Sequence, residues 1–563
     1  MKLNRFNNIL TAITLLIALT FTSCVGDLNV KPIDPNLDTA DKVYQNEADL
    51  QQGLAKIYAG LAVTGQRGPA GDGDIDGIDE GASSYWRGYW MLQELPTDEA
   101  VNGWGDPGIP SLNRSNWTAS NSMVTAMYYR IMFQVTLSNE FIRQSKALMQ
   151  PDWKEAPKYI AQARALRAFA YYNGLELYGN IIPKVTEEDG VGAFLPPSWG
   201  QLGGDELFNY LKGELEDIIA GNDLAETGMI GEVTKDVART LLAKMLLNHE
   251  VILGSKNNAY YAEAETLLEK VAANHALNTE KGINANDLKD EDGNPIKVNN
   301  GQDFTPYQVL FMSDNWMRDQ EIIFSINYAA NSTQTFGGST FLVCGSVLGG
   351  NNTMSAQEFG VTGGWSGNRT TTALMSKFDM TNDQRVAKEQ LLFTNNRGDG
   401  TITELSDSDQ GYGIGKFRNM TSTGHYASND GKTDRVENNI PVYRVSDVYL
   451  MLAELDLRQG KAVSAAHLEN LNKIQERAGL SPTLTAGNVT LDWLLDERAR
   501  ELYWEGHRRT DLIRFGKFTG GAYIWPFKGG TAQGASIEAK YKLFPIPSAD
   551  QVANPNLERN PNY

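Results

Sequence analysis

Residues 494–517, Leu494-Leu-Asp-Glu-Arg-Ala-Arg-Glu-Leu-Tyr-Trp-Glu-Gly-His-Arg-Arg-Thr-Asp-Leu-Ile-Arg-Phe-Gly-Lys517, hold five acids and six bases inside a 563-residue chain of net charge -19. A balanced run this dense in an acidic chain points to pairing within the protein. Leu491, Leu495, Ala499 and Leu502 recur at spacings of four and three, which places them on one face of a helix. Asp496 precedes Arg500 by four positions and Glu505 precedes Arg509 by four, the separation at which opposite charges meet along a helix. Gly506 reads as the stop after this helix and Gly516 as the stop after a second, giving helices over about 491–505 and 508–515. Two readings of the charges are open, a solvated, salt-bridged helical hairpin and an anion-binding patch. Composition favours the hairpin, and either way the run is structural, not catalytic.

Outward from this run, helical periodicity recurs at about 446–459 and 462–478. In the first half it appears at Leu50 to Leu61 and at about 122–149, 157–178, 205–220, 234–253 and 258–273. Residues 63–117 read as a loop-rich interruption. Residues 280–440, rich in Gly, Asn, Asp, Ser and Thr, read as a loop-rich lobe with short strand-like runs at Glu321 to Ile326 and Thr340 to Val343. The predicted fold class is mainly α: a tetratricopeptide-like helical scaffold (41–62, 118–275 and 441–520) with an inserted loop-rich lobe containing short strands. The sequence shows no clean 34-residue repeat. Tyr541 to Pro547 and Asn554 to Tyr563 read as parts of an extended tail, 521–563, packed over the body.

The N-terminus reads as an export signal over 1–23. Lys2 and Arg5 form its positive region, Ile9 to Phe21 its apolar stretch, and Thr22-Ser23 the small residues before Cys24. The apolar stretch is too short for a stable membrane span. Cys24 stands where a lipoprotein signal places its acylated residue, with Phe21 where Leu is usual; the alternative is an ordinary secretory signal that happens to contain Cys. Residues 24–40, with Pro32 and Pro35, then form a tether between a lipid anchor and the body, which starts near Asp41. Cys344 is the only other cysteine, so the mature chain has no disulfide framework, and Phe341-Leu-Val-Cys344 makes it a small buried hydrophobe.

The acidic balance argues against nucleic acid as a partner. The sequence contains no G-x-S-x-G, no G-x-x-x-x-G-K-[ST] and no H-E-x-x-H, and its five histidines are scattered, which leaves Ser/His and zinc chemistry without support. With 69 acids, chance carboxylate pairs are expected, so a glycosidase-like pair roughly 5 to 9 Å apart is not decided by sequence. Asp72, Asp74, Asp76 and Gly77 imitate the start of an EF-hand loop. Ser83 stands at the twelfth position, however, and a solvated acidic turn is the simpler reading. No cofactor is assigned, and a structural calcium stays open.

The richer signal is aromatic. Tyr85, Trp86, Tyr89 and Trp90 read as core. Trp104 and Trp365 are each bracketed by glycine, which places them on exposed loops. A sugar ring offers a flat C–H face that packs on an aromatic ring and hydroxyl edges that seek charged hydrogen-bond partners, so such platforms beside an Arg and an Asp suit a saccharide.

Several ordered stretches give the chain a family likeness: Glu94-Leu-Pro-Thr-Asp-Glu99; Ala163-Arg-Ala-Leu-Arg-Ala168 with Leu177-Tyr-Gly179; Tyr443-Arg-Val-Ser-Asp-Val-Tyr-Leu450 with Ala453-Glu454; Asn472 to Gly479; the 494–517 run; and Phe544-Pro-Ile-Pro547 with the closing Asn-Pro-Asn-Tyr. From Cys24 to Tyr563 the chain resembles the SusD/RagB family of outer-membrane nutrient-binding lipoproteins of Bacteroidota. The resemblance implies a scaffold of four tetratricopeptide-like helix pairs carrying a variable loop-rich lobe. It also implies attachment to the outer membrane facing the cell surface, and delivery of cargo to a SusC-like TonB-dependent transporter barrel. Val63-Thr-Gly-Gln-Arg67, Asp76-Gly-Ile-Asp79-Glu80-Gly81, Phe336 to Gly345, Gly364-Trp365-Ser366 and Lys528-Gly-Gly530 fall in variable regions and are similar to the starch-binding subgroup.

Carried over by that resemblance, an arc of Trp104, Phe336 and Trp365 would follow an α-glucan oligosaccharide, with Arg87 as donor and Asp79 as acceptor. Asn102 stands where the subgroup has a further Trp, Asp106 or Pro107 where it has a hydrogen-bonding Asn, and Phe336 where it has Tyr. The implied function is non-catalytic capture of starch or maltooligosaccharide. The alternatives are another cargo (β-glucan, other glycan or peptide) and a surface glycosidase. Acylation at Cys24 makes one separate prediction: Cys24→Ala moves the protein from the membrane fraction to the soluble fraction on immunoblots, and retention in the membrane would contradict it.

Overall fold

Side-chain caps set where the helices begin. Asn46 accepts hydrogen bonds from the N–H groups of Ala48 and Asp49, and Asp49 accepts from the N–H of Asn46, closing a capping box at the head of helix α1 (Glu47–Ala62). The structure, a computed structural model, describes residues 40–563 apart from 66–72, 76, 180–181, 190–204, 291, 348–354, 387–391, 395–399, 429–434 and 561. The signal segment, Cys24, the tether up to 39, Asp72 and Asp76 lie outside the described residues.

The long helices are α2 (Tyr85–Glu94), α3 (Ser122–Leu148, capped by Asn121), α4 (Ala156–Tyr178), α5 (Glu206–Ala220), α6 (Lys235–Leu247) and α7 (Asn258–Asn274). The short helix α8 (Gly338–Cys344) lies within the lobe, and after it come α9 (Val445–Arg458), α10 (Ala465–Arg477, capped by Ser464), α11 (Leu491–Leu502, capped by Thr490) and α12 (Arg508–Arg514). From α3 to α7 each helix packs on the next, and α7 then packs directly on α9, so the scaffold closes across the inserted lobe. α9 carries α10 and α11, while α2 lies against α1, α3, α8 and α12. One large buried apolar cluster runs through all of these elements.

The strands form two-stranded pairs. β1 (Val101–Asn102) pairs antiparallel with β3 (Asn368–Arg369), and β2 (Ile322–Ile326) pairs antiparallel with β6 (Ile440–Arg444), with Phe324 opposite Tyr443. β4 (Leu392–Thr394) pairs with β5 (Tyr412–Ile414). The β2–β6 pair stitches the lobe to the scaffold just before α9. The closing tail lies on α4, where the Phe544 N–H donates to the Leu177 carbonyl at 2.7 Å and Asn560 Nδ2 to the Tyr178 carbonyl at 3.0 Å.

Four expectations need correction. The interruption at 63–117 contains the buried helix α2, whose aromatic residues face neighbours on almost every side and so show no polar face. Thr340 to Val343 lies in α8 and not in a strand; a short apolar run fits either, and here it packs Phe341 against Trp90, ring centroids 5.3 Å apart. α6 stops at Leu247 instead of running to 253, and a separate short helix spans His249–Leu253. α11 ends at Leu502, before a backbone reversal at Trp504 with φ 64°.

The opening charge run also departs from its expected surface setting. Glu497, Arg498, Glu501, Glu505, Arg508, Arg509 and Asp511 are all buried. Asp496 reaches Lys377 at 2.6 Å instead of Arg500, and Glu505 reaches Lys416 at 2.8 Å and Arg444 at 2.7 Å instead of Arg509. Arg444 also meets Glu321 at 2.7 Å and Glu501 at 3.0 Å, and Arg477 bonds the same two acids. Arg385 pairs with Asp383 and Glu497, and Arg498 joins Asp447 to Asp511 at 2.7 Å each. Apart from Arg385–Asp383 the pairs are tertiary, tying the lobe (Glu321, Arg385, Lys416) to β6, α10, α11 and Glu505. Burial alone would raise Glu501, but the Arg477, Arg444 and Arg385 guanidiniums outweigh it and hold the carboxyl down to about 2. Removing one partner of such a pair costs about 3–5 kcal/mol, because the other charge stays buried.

Glu94, at the end of α2, accepts the N–H of Gly506 at 2.7 Å and of His507 at 3.2 Å. Burial pushes its carboxyl up to about 7, and its neighbour Glu99 is raised too, by burial and then by Glu94. The fold therefore holds a proton here that the unfolded chain releases near the ordinary carboxyl value, so this contribution is full at low pH and disappears as pH rises through about 7. His507 works in the opposite sense: burial, then Lys244, lowers it to about 3, and its contribution is lost as pH falls. The difference between wild type and Glu94→Gln reports Glu94 together with its effect on Glu99. In urea unfolding from pH 5 to 7, wild type loses stability relative to the variant by up to about 1.4 kcal/mol per pH unit. A difference independent of pH would contradict this.

Candidate functional site

Three of the residues named from sequence form one row of rings. Trp104 and Trp365 have ring centroids 6.3 Å apart with planes tilted by 48°, and Trp365 and Phe336 follow at 6.0 Å and 57°. All three are half-buried. The tilts make the row bent, so no flat surface can lie on all of its rings at once.

Each ring is fixed by a different piece of chain. Trp104 follows β1, and its N–H donates to Asn102 Oδ1 at 2.8 Å while its Nε1–H donates to the Trp365 carbonyl at 3.2 Å. Gly367 lies flat against this indole: a Cβ there would stand 2.3 Å from Trp104 Cε2. The Trp365 loop is pinned to the end of α8, with the Trp365 N–H donating to the Cys344 carbonyl at 2.7 Å and the Asn368 N–H to the Gly345 carbonyl at 2.7 Å. Phe341 of α8 supports Trp104 edge-on at 5.9 Å.

Arg87, on α2, sits behind the row. Its guanidinium lies 4.6 Å from the Phe341 ring centroid and 5.4 Å from that of Trp104, and Nη1 makes a long 3.5 Å bond to the Phe336 carbonyl. Its Nε is buried without a hydrogen-bond partner among the described residues. Burial lowers the guanidinium to about 10, opposed by Asp79, Asp106 and Glu80, which leaves it cationic at neutral pH. Asp79 is exposed, with Oδ2 accepting the Ala82 N–H at 3.1 Å. The structure thus brings Trp104, Trp365 and Phe336 together with Arg87 buried behind them and the Asp79 charge acting on Arg87.

Other participants escaped the sequence reading. Arg435 stacks on Phe336 at 4.0 Å. Glu80, adjacent to Asp79, is bonded by Thr335 and by the N–H of Phe336. Asn102, singled out as a missing Trp, is buried and works structurally: its Nδ2 donates to Asn368 Oδ1 at 2.7 Å across the β1–β3 pair. Asp106 and Pro107 are exposed. Asp74, from the EF-hand-like stretch, faces Arg130 at 3.5 Å. Among the described residues, one cleft of about 290 Å³ lies among Leu175, Ile252, Ile513 and Leu543 and another of about 540 Å³ beside Tyr449 and Arg477, and neither is lined by the three rings.

A mainly helical scaffold carrying an inserted loop-rich lobe is the architecture that the comparisons match. The chain belongs to the SusD family. It is 30% identical to the starch-binding protein SusD of Bacteroides thetaiotaomicron over 96% of each chain. The sequence profile of the SusD family matches residues 389–563. A SusD-like protein of Bacteroides ovatus is 22% identical, over 76% of this chain and 79% of its own. Among solved structures, a SusD superfamily protein of Parabacteroides distasonis superposes with a TM-score of 0.67 at 18% identity, covering 92% of this chain and 99% of its own. Surface glycan-binding protein A of Bacteroides thetaiotaomicron, in complex with laminarihexaose, superposes with a TM-score of 0.64 at 20% identity, covering the same shares.

Asn102→Ala removes the acceptor of the Trp104 N–H and the donor to Asn368. We expect a stability loss of about 1–3 kcal/mol, with a changed near-ultraviolet circular dichroism signal in the tryptophan band and an unchanged far-ultraviolet spectrum. An unchanged tryptophan band would show that Asn102 does not hold this ring.

Proposed function

We propose that this protein captures α-glucan, starch or maltooligosaccharide, on its aromatic row without chemical conversion, and passes it to a TonB-dependent transporter barrel. The observation that carries the reading is the bent row Trp104–Trp365–Phe336 with Arg87 behind it. Successive tilts of 48° and 57° suit a ligand that curves, as a coiled α-glucan does, better than a flat ribbon. Sugar faces stack on the rings while hydroxyl edges meet Arg87 as donor and Asp79 as acceptor. The name of the SusD relative, starch-binding protein, supports the same cargo. In this reading Cys24 is acylated and holds the protein on the outer membrane, facing the cell surface, where reversible capture suits delivery.

Two or three stacks at roughly 1 kcal/mol each, with a few exposed hydrogen bonds and the cost of association, give a Kd of about 10 µM to 1 mM. The laminarihexaose complex of a protein with the same fold gives the alternative, a β-glucan cargo, its specific footing. Isothermal titration with maltoheptaose is expected to show binding that disappears in the Trp104→Ala/Trp365→Ala double variant. Binding to laminarihexaose but not to maltoheptaose would transfer the assignment to β-glucan. Release of reducing sugar by the purified protein would overturn the non-catalytic reading.

A further inference from the structure

We propose that Glu80 is a positioning residue that holds Phe336 in the ligand row. This rests on reading the row as the glycan platform. Residues 335–337 belong to neither helix nor strand, so no ladder of backbone bonds fixes Phe336. A single carboxylate takes that role. Glu80 Oε1 accepts from Thr64 Oγ1 at 2.5 Å and from Thr335 Oγ1 at 2.8 Å, and Oε2 accepts from the Phe336 N–H at 3.3 Å. Donors from the end of α1 and from the lobe therefore converge on one side chain that lies between them.

The backbone closes the same contact from behind. A Cβ on Gly81 would stand 2.9 Å from Phe336 Cβ and 2.8 Å from Arg87 Nη1, and one on Gly337 would collide with the Ser84 side chain. The Gly337 N–H in turn donates to Thr335 Oγ1 at 2.9 Å, extending the Glu80 network through the turn. Glycines permit the approach and Glu80 supplies the bonds that keep it. Without this carboxylate, two hydroxyls and one N–H lose this acceptor, and among the described residues Phe336 keeps the long Arg87 bond and its ring contacts with Trp365 and Arg435. The end of the row would then lose its fixed tilt, with direct consequences for a ligand that must touch all three rings.

The test is a double-mutant cycle on maltoheptaose binding with wild type, Glu80→Ala, Phe336→Ala and the double variant, with Glu80→Gln as the conservative control. If Glu80 acts through Phe336, each single variant weakens binding by about 3- to 10-fold and the double variant is no weaker than Phe336→Ala. Glu80→Gln, which keeps one acceptor oxygen, retains the larger part of the affinity. Unchanged affinity in Glu80→Ala, or a double variant showing the product of the two single losses, would overturn the proposal. If wild type binds no α-glucan, the cargo assignment fails but Glu80 remains testable. Glu80→Ala and Phe336→Ala should then alter the near-ultraviolet tryptophan band in the same way, through the neighbouring Trp365. An unaltered band in Glu80→Ala would sink the positioning role.

Discussion

The buried ion-pair network around α11 and α12 is the constraint on which the remaining structure depends. Arg444, Arg477 and Arg385 neutralise Glu321, Glu497, Glu501 and Glu505 from β6, α10 and the inserted lobe, so charges far apart in sequence become one block. Charges this deep are tolerable only when paired. Arg508 extends the block to Asp98 at 2.7 Å, and the backbone of Gly506 and His507 extends it to Glu94 at the end of α2. The helix that carries Arg87 is thereby clamped to the charge run at 494–517.

From that clamp a chain of aromatic contacts leads outward to the ligand row. Trp90 donates to the Trp504 carbonyl at 3.1 Å and packs edge-on against Trp504 at 5.2 Å and against Phe341 at 5.3 Å. Phe341 supports Trp104, which meets Trp365, which meets Phe336. A rigid interior thus reaches the surface through rings in contact. The last ring rests on loop backbone and a carboxylate, so the row is firmest at Trp104 and depends most on side-chain bonds at Phe336. A platform supported in this way keeps its tilt before the ligand arrives, which limits the ordering cost of binding.

The helical scaffold was legible because most of its helices are amphipathic and capped, as Leu50 to Leu61 and Leu491 to Leu502 illustrate. α2 was illegible because burial on nearly all sides erases the polar face, and α8 because a run of four apolar residues carries too few turns to distinguish a helix from a strand. The sign of the 494–517 charges was readable, but their partners were not. Arg444 and Lys416 come from other segments, and the four-residue spacing named Arg500 and Arg509 instead. Trp104 and Trp365 announced themselves by their flanking glycines. Glu80 could not, since its role exists only where the chain near Thr64 meets Thr335 and Phe336.

A crystal structure of the protein with maltoheptaose tests the central claim most directly. Glucose rings are expected to stack on Trp104, Trp365 and Phe336, with a sugar hydroxyl within hydrogen-bond reach of Arg87. Sugar bound elsewhere with these three rings bare, or a ligand lying flat across only one of them, would contradict it.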